Sequence, residues 1–168
     1  MTSRKQQLSR QLNPQAETGD SAEVYQQSYA TALRLLARRE HSELELRRKL
    51  AARKFADAVI DTVLAGLLEE GLLSNRRFTE IYVRGRFERG YGPARIQAEL
   101  RERGIDSDLM AQTLAELSQL WIDSAVRQRN KRFGHHIPDE YPARVKQMHF
   151  LQQRGFTGDQ IRAVFAPL

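Results

Sequence analysis

A short pattern of apolar, basic and glycine residues recurs three times in this chain, about fifty residues apart. The three copies are LAARKF at 50–55, LRERGI at 100–105 and LQQRGF at 151–156. Each copy is followed by an apolar residue five positions on and by another four positions later. These pairs are Ile60 and Leu64, Met110 and Leu114, and Ile161 and Phe165. Repetition at this period is typical of small helical units that stack and share a core.

The five-residue spacing has a physical meaning. An apolar residue just before a helix N-cap packs on the fourth helical residue and fixes the direction in which the chain enters the helix. Asp106 and Thr157 stand at the implied N-cap positions, where a side-chain oxygen can accept a backbone hydrogen bond, whereas the first copy has an alanine there. Gly104 and Gly155 stand where the preceding helix must end, because glycine adopts the left-handed conformation with little strain. The first copy has a lysine at that place.

The chain therefore divides into a tail and three successive units. We predict a mobile tail at 1–23, which is polar and lacks apolar periodicity. The three units are predicted at 24–71, 72–118 and 119–168. The predicted fold is all-α, an elongated array of three tandem three-helix repeats that resemble helix-turn-helix motifs.

Units of this size barely sustain a core of their own, so we expect neighbouring units to share buried surface. In the second unit, Phe78, Ile81 and Tyr82 are predicted to form the inward stripe of a helix. Val83 and Phe87 point away from that stripe, as a unit with neighbours on both sides would require. The alternative is that these two apolar residues are simply exposed.

The charge balance favours an anionic partner. The chain has a formal net charge of +6 and a pI near 10.0, which predicts attraction to polyanions or to an acidic protein surface. Cysteine is absent, which excludes disulfides and cysteine zinc sites. No apolar run is long enough to span a bilayer. We expect a monomeric, cytoplasmic protein.

Few residues could carry catalysis. His135 and His136 are adjacent, so their side chains point in different directions, and no carboxylate stands at metal-ligand spacing from them. The run Gly90-Tyr91-Gly92 superficially resembles a phosphate loop, but it lacks the Gly-Lys-Ser/Thr that should follow and does not follow a strand. We interpret it as a turn, and we predict no enzyme activity, no metal and no cofactor.

Arginine is the more informative residue type, because its planar charged group suits both phosphates and carboxylates. Four arginines crowd around one helix break and are not members of the tidy i,i+4 pairs named below, so we expect them to touch a partner. They are Arg84, Arg86, Arg89 and Arg95. The wider predicted basic surface also contains Arg47, Arg48, Lys49, Arg53, Arg101, Arg103, Arg127, Lys131 and Arg132, and Arg129 belongs to the same run as the last three.

Ordinary helix charge pairs are the alternative explanation for part of this surface. Carboxylates and cations at i,i+4 spacing stabilise a solvated helix face without any partner. Three such pairs are present: Glu43 with Arg47, Glu45 with Lys49, and Glu99 with Arg103. At the helix break, Tyr91 is predicted to pack over the turn rather than to stack on a nucleic-acid base.

Several motifs resemble those of the RecX family of regulatory proteins. The opening motif lies at 32–42 and 45–50, and the central motif at 77–78, 89–96, 99–100 and 103–105. The ending is similar at 131–134, 150–151 and 154–156, so the resemblance covers about 25–168. It implies an all-α, elongated molecule of three three-helix units.

The resemblance also implies a function. RecX proteins bind the RecA recombinase and its filament on single-stranded DNA, lie in the filament groove, and reduce strand exchange, ATP turnover and co-protease activity. Direct and weak contact with single-stranded DNA is part of this expectation. A direct DNA-binding protein remains the alternative, because a three-helix unit with a tight turn before its last helix resembles a helix-turn-helix.

Overall fold

The computed structural model describes the backbone of residues 14–166 and the side chains of residues 21–166. The described residues form nine α-helices and no strand, so the all-α prediction is confirmed. The helices are α1 Pro14–Leu36, α2 Glu43–Ala51, α3 Asp57–Glu69, α4 Asn75–Glu88, α5 Pro93–Arg101, α6 Ser107–Ala115, α7 Trp121–Phe133, α8 Tyr141–Gln153 and α9 Gly158–Val164. A short 3₁₀ helix, Ser118–Leu120, precedes α7.

Helix α1 begins inside the segment that was predicted as a tail. Its first residue is Pro14, so the predicted start near Val24 is too late. Proline suits the first turn of a helix, because its fixed φ is helical and the N–H that it lacks would have no intrahelical partner there. Residues 1–13, the rest of the predicted tail, lie outside the described residues, and their mobility stays a prediction.

The helices form three triplets, and within each triplet every helix contacts the other two. The chain divides after Ser74 into two compact units, which differ from the three predicted repeats. The first unit contains α1–α3, and the second contains the other two triplets, α4–α6 and α7–α9. The predicted boundaries of the three repeats stay predictions. No helix in the described part of the chain is long and apolar enough to cross a membrane.

The repeated pattern has the same backbone conformation in its three copies. Lys54, Gly104 and Gly155 all have positive φ, at 67°, 73° and 89°. After this residue, the side chain of Asp106 accepts the N–H groups of residues 108 and 109 at the start of α6, and Thr157 forms a reciprocal capping box with Gln160 at the start of α9. Ala56 makes no such bond. The helix ends and caps expected from the pattern are therefore confirmed.

The core of the first unit is built from all three of its helices. Its buried apolar residues are Ala32 from α1, Leu46 and Leu50 from α2, Ile60, Val63, Leu64 and Leu67 from α3, and Leu73. Ser42 caps α2, since its hydroxyl accepts the Glu45 N–H at 3.1 Å. The half-buried Phe55 packs against this core, as expected for the apolar residue just before the N-cap of α3.

The second unit has one continuous core shared by its two triplets. Buried residues from the second repeat (Phe78, Val83, Ile96, Leu100, Ile105 and Met110) and from the third (Trp121, Ala125, Leu151, Phe156, Ile161 and Val164) form a single cluster. Phe87 meets Trp121 edge-on, with ring centroids 5.2 Å apart. The second and third repeats therefore share buried surface, as predicted, and Val83 and Phe87 are not simply exposed apolar residues.

The predicted inward stripe of α4 is wrong at one position. Phe78 is buried and Tyr82 is half-buried, but Ile81 is 60% exposed. At 3.6 residues per turn, the buried face of α4 is centred on Thr79 and includes Val83 on the far side from Ile81. The helix serves both parts of a shared core, so its buried face is wider than one stripe and displaced from the one predicted.

The two repeats of the second unit are also joined by their backbones. The N–H of Gly92 donates to the carbonyl of Arg154 at 2.8 Å, and the N–H of Ala94 donates to that of Gly155 at 3.0 Å. The first N–H groups of α5 thus find acceptors in the two residues that directly follow α8. A Cβ on Gly92 would lie 2.3 Å from the Phe156 nitrogen, which leaves no room for a side chain.

Replacing Leu100 tests the core. Leu100 is fully buried, and Leu100→Ala should lower the free energy of unfolding by about 2–5 kcal/mol, because it removes apolar contacts and leaves a cavity. Urea denaturation followed by circular dichroism measures the change. Ile81→Ala is the control and should change it by less than about 0.5 kcal/mol. A negligible cost for Leu100→Ala would remove this residue from the core.

Replacing Gly92 tests the backbone contact between the repeats. Gly92→Ala should lower the free energy of unfolding by about 1–3 kcal/mol, because the added methyl group forces the two backbones apart. Gly85→Ala is the matched control, since a Cβ there meets nothing within 4 Å and alanine favours helix. Thermal unfolding of the two variants should therefore move in opposite directions. Equal midpoints would show that the close approach at Gly92 contributes nothing.

Candidate partner-binding surface

A half-buried carboxylate organises the arginines of the second unit. Glu99 on α5 accepts from Arg86 Nε at 2.6 Å, from the Tyr82 hydroxyl at 2.8 Å and from Arg95 Nε at 3.1 Å. A second guanidinium nitrogen of Arg86 also bonds Glu99, which makes the pair bidentate. The side chains of Glu99 and Arg86 are only 15% and 20% exposed. Such a pair holds both groups in one orientation.

The pKa values of this network follow its geometry. Burial acts to raise the pKa of Glu99, but hydrogen bonds from Arg86, Tyr82 and Arg95 outweigh it, so the pKa lies below the usual value. Burial acts to lower the pKa of Arg86, and the bonds to Glu99 and Tyr82 outweigh it, so the pKa is raised. Burial and the bond to Glu99 raise the pKa of Tyr82. The network therefore keeps both members of its ion pair charged.

Tyr91 lies among three guanidinium groups at the break between α4 and α5. The distances from its ring centroid are 4.6 Å to Arg86, 4.5 Å to Arg95 and 5.6 Å to Arg154. Cations over an aromatic face attract its electron-rich ring. The predicted role of Tyr91, packing over the turn, is confirmed, and its faces are occupied by the protein's own cations.

The run from Gly90 to Gly92 is a turn. Each of its N–H groups donates to a main-chain carbonyl: Gly90 to Phe87, Tyr91 to Arg86 and Gly92 to Arg154. None of these three donors is left to hold a phosphate group. The turn interpretation is therefore confirmed.

Arg154 was not predicted as a site residue, although it holds the turn in place. Its Nη1 donates to the carbonyls of Arg89 and Gly90 at 3.2 and 3.1 Å. The repeat itself contained the signal for it, because Arg53, Arg103 and Arg154 occupy the same column of the pattern. Arg103 donates to the Glu99 carbonyl and lies over Tyr82, with its guanidinium 4.8 Å from the ring centroid.

The four arginines singled out from the sequence therefore divide into two pairs. Arg84 and Arg89 are exposed, and within the described part of the chain their side chains make no hydrogen bond or ion pair. The expectation that all four lack an internal partner is wrong for Arg86 and Arg95, which bind Glu99. The Arg86 partner was missed because it lies on the next helix, and the Arg95 partner because Glu99, at i,i+4 from Arg95, was paired with Arg103 instead. Arg101 is exposed like Arg84.

The basic residues of the first unit are also partly engaged. Arg47 pairs with Asp61 of α3 at 2.6 Å, rather than with Glu43 as expected, and Glu45 pairs with Arg39 at 2.8 Å, not with Lys49. These tertiary and loop contacts override the i,i+4 spacing. Arg53 is exposed and donates to the Lys49 carbonyl, and Arg48 is exposed.

The basic residues of α7 differ in accessibility. Arg127, Lys131 and Arg132 are exposed. Arg129 is only 2% exposed and donates to the carbonyls of Gly134 and His135 at 2.7 and 2.8 Å. Burial lowers its pKa. Arg129 therefore shapes the loop after α7 and does not belong to a partner-facing surface. In the described residues, no three His, Asp or Glu side chains are grouped to hold a metal ion.

Glu99→Gln tests the network. At neutral pH the variant should lose about 1–3 kcal/mol of unfolding free energy, the typical worth of hydrogen bonds to a charged group. A carboxylate with a lowered folded-state pKa stabilises above its unfolded pKa, near about 4.3, and loses that effect as pH falls through the folded value. The difference between wild type and variant should therefore shrink on acidification. Urea denaturation at pH 7 and pH 3 measures it.

Glu116→Gln is the matched control, because Glu116 is exposed at the end of α6. It should change the unfolding free energy by less than about 0.5 kcal/mol. If the Glu99 and Glu116 variants behave alike at both pH values, the network contributes nothing to folding.

Three models of RecX domains match this chain in order. The model described as RecX, first three-helix domain, matches 29–67, the second three-helix domain matches 74–114, and the third matches 122–165. Regulatory protein RecX of Halorhodospira halophila is 44% identical over 151 residues, which cover 90% of this chain and 92% of that protein.

Two crystal structures share the fold. RecX from Lactobacillus salivarius aligns with a TM-score of 0.75 at 23% identity, over 86% of this chain and 96% of that one. A second structure, described as regulatory protein RecX, aligns with a TM-score of 0.81 at 19% identity, over 91% of this chain and 78% of that one. On the domain matches and the similarity to the Halorhodospira protein, this chain belongs to the RecX family of regulatory proteins.

Proposed function

We propose that this protein binds the RecA recombinase filament on single-stranded DNA and reduces its strand exchange, ATP turnover and co-protease activity. The match of all three RecX domain models, in order, carries the proposal. The protein is proposed to act from the cytoplasm as a monomer, to occupy the filament groove, and to leave catalysis to its partner.

The exposed cations of the second unit support a docking role. Arg84, Arg89 and Arg101 are exposed on or beside a pair of helices that are held firmly by the Glu99 network and the Gly92 backbone contact. A charged partner gains most from cations whose supporting backbone is already ordered, because less entropy is lost on binding. We therefore assign direct contact to these three residues, and a positioning role to Arg86, Arg95 and Arg103.

The other exposed basic residues of the predicted set are proposed to contact the partner as well. They are Arg48 and Arg53 in the first unit, and Arg127, Lys131 and Arg132 on α7. Arg47 and Lys49, which are half-buried, support the first group. Acidic protein surface and DNA phosphate both attract such cations, so direct contact with single-stranded DNA is proposed to be weak and secondary to RecA binding.

The surfaces of α3 and α6 disfavour the alternative of a helix-turn-helix DNA-binding protein. In that motif, the helix after the tight turn enters the major groove. In the first two repeats the corresponding helices α3 and α6 contain no lysine or arginine, and they expose carboxylates at Asp57, Asp61 and Asp108; α9 of the third repeat has one arginine, Arg162, which pairs with Asp159. Carboxylates on a groove-entering helix would be repelled by DNA phosphates.

A RecA ATPase titration tests the proposal. The wild-type protein should slow the single-stranded-DNA-dependent ATPase of RecA at concentrations well below those that coat bare DNA. Arg84→Glu/Arg89→Glu should need at least about tenfold more protein for half-inhibition, which corresponds to about 1.4 kcal/mol of lost binding free energy. Reversing two exposed charges at an interface replaces attraction by repulsion without touching the core.

Arg162→Glu is the control for charge reversal. The Arg162 side chain is 74% exposed on α9 and pairs with the exposed Asp159, so RecA inhibition by the Arg162→Glu variant should match that by the wild type. An ATPase unaffected by wild-type protein would refute the proposed function. Normal inhibition by the Arg84/Arg89 variant would refute only the assigned surface. Tight, steeply salt-dependent binding to bare DNA would favour the DNA-binding alternative.

A further inference from the structure

A shallow groove runs between the last turns of α7 and the length of α8. Arg132 and Phe133 line it from α7, and Val145, Lys146, His149 and Phe150 line it from α8. Its volume is about 460 Å³, enough to seat part of a peptide chain. A second recess beside it shares Arg132 and Phe150 with the first.

The floor of the groove is apolar. Phe133 and Phe150 pack edge-on, with their ring centroids 5.3 Å apart, and both are half-buried. The guanidinium of Arg154 covers Phe150 from 5.1 Å. Val145, also half-buried, continues this floor along α8.

The rim of the groove is cationic. Arg132 and Lys146 are exposed, and their side chains make no hydrogen bond or ion pair with the described residues. No carboxylate lines either recess, and the second adds Lys131 and Arg154. Arg132 and Lys146 thus differ from Arg47, which pairs with Asp61, and from Arg86, which pairs with Glu99. The groove therefore combines an apolar floor with a positive rim.

A single-stranded nucleic acid uses only part of this chemistry. Nucleic-acid strands bind through phosphates and through bases stacked on open aromatic faces. Phe150 already has Arg154 over its ring, and Phe133 packs against Phe150 rather than standing open. An acidic peptide with a large apolar side chain uses both parts, because the side chain covers the floor while carboxylates pair with the rim.

We propose that this α7–α8 groove is a docking site for an acidic peptide segment of another protein, with one or two large apolar side chains among its carboxylates. The apolar side chains cover Phe133, Val145 and Phe150, and the carboxylates pair with Arg132 and Lys146. The groove shares Arg132 with the basic surface assigned above, but the proposal does not require the partner to be the recombinase.

Fluorescence anisotropy tests the proposal with a fluorescein-labelled peptide in which four aspartates flank a leucine and a phenylalanine. A second peptide has serine in place of the two apolar residues. The purified full-length protein should bind the first peptide at least about tenfold more tightly than the second, because burying one such side chain is worth at least about 1.5 kcal/mol.

Two charge-reversal variants locate the site. Arg132→Glu/Lys146→Glu should weaken binding of the apolar peptide at least about tenfold. Arg38→Glu/Arg76→Glu changes the net charge equally at exposed positions outside the groove, and it should bind within about twofold of wild type once the salt concentration screens long-range attraction. Circular dichroism and the thermal midpoint establish that both variants are folded.

Three outcomes would overturn the proposal. Equal binding of the two peptides would mean general charge attraction without use of the apolar floor. Binding of a labelled oligothymidine that is lost in the Arg132/Lys146 variant, with no binding of the peptide, would make the groove a nucleic-acid site. Absence of peptide binding at low salt would mean that the groove holds no acidic segment.

Discussion

The second unit depends on one contact between two helix ends. The N-terminal N–H groups of α5 have no partner within their own helix, and here two of them donate to the carbonyls of Arg154 and Gly155, directly after the last residue of α8. Their partial charges are opposite, so the pairing is also electrostatically favourable. The approach is possible because Gly92 and Gly155 present no Cβ to it. Tyr91, Arg154 and the Glu99 network all lie around this contact, so the geometry of the arginine surface follows from it.

The repeat could be predicted because its signals are local. Each copy has a left-handed residue that ends one helix and an N-cap two positions later. An apolar pair then packs across this cap, and all these residues lie within about ten positions of each other. The structure has them at Lys54, Gly104 and Gly155. The buried face of α4 could not be predicted in this way, because it depends on a neighbouring repeat. Phe87 packs on Trp121, which lies more than thirty residues later in the chain.

The same distinction explains which site residues were predicted. Contact of Arg84 and Arg89 with a partner was predicted because they crowd around one helix break, and the structure has both exposed. The pairs of Arg86 with Glu99 and of Arg47 with Asp61 join different helices, and spacing along one helix contains no information on them. Buried Arg129 resembles its exposed neighbours in sequence and differs only because the loop after α7 folds back over it. Membership of one basic run therefore says little about what each cation does.

The left-handed residue that ends the middle helix of each repeat has a consequence for how the copies can diverge. In the first copy it is Lys54, exposed to solvent, where a side chain costs only on the order of 1–2 kcal/mol in backbone strain. In the third copy it is Gly155, where a Cβ would lie 2.3 Å from that of Arg95. A repeat in which this residue is exposed to solvent tolerates other side chains here. A repeat in which it packs against its neighbour requires glycine, because the φ angle is positive and no room remains for a Cβ.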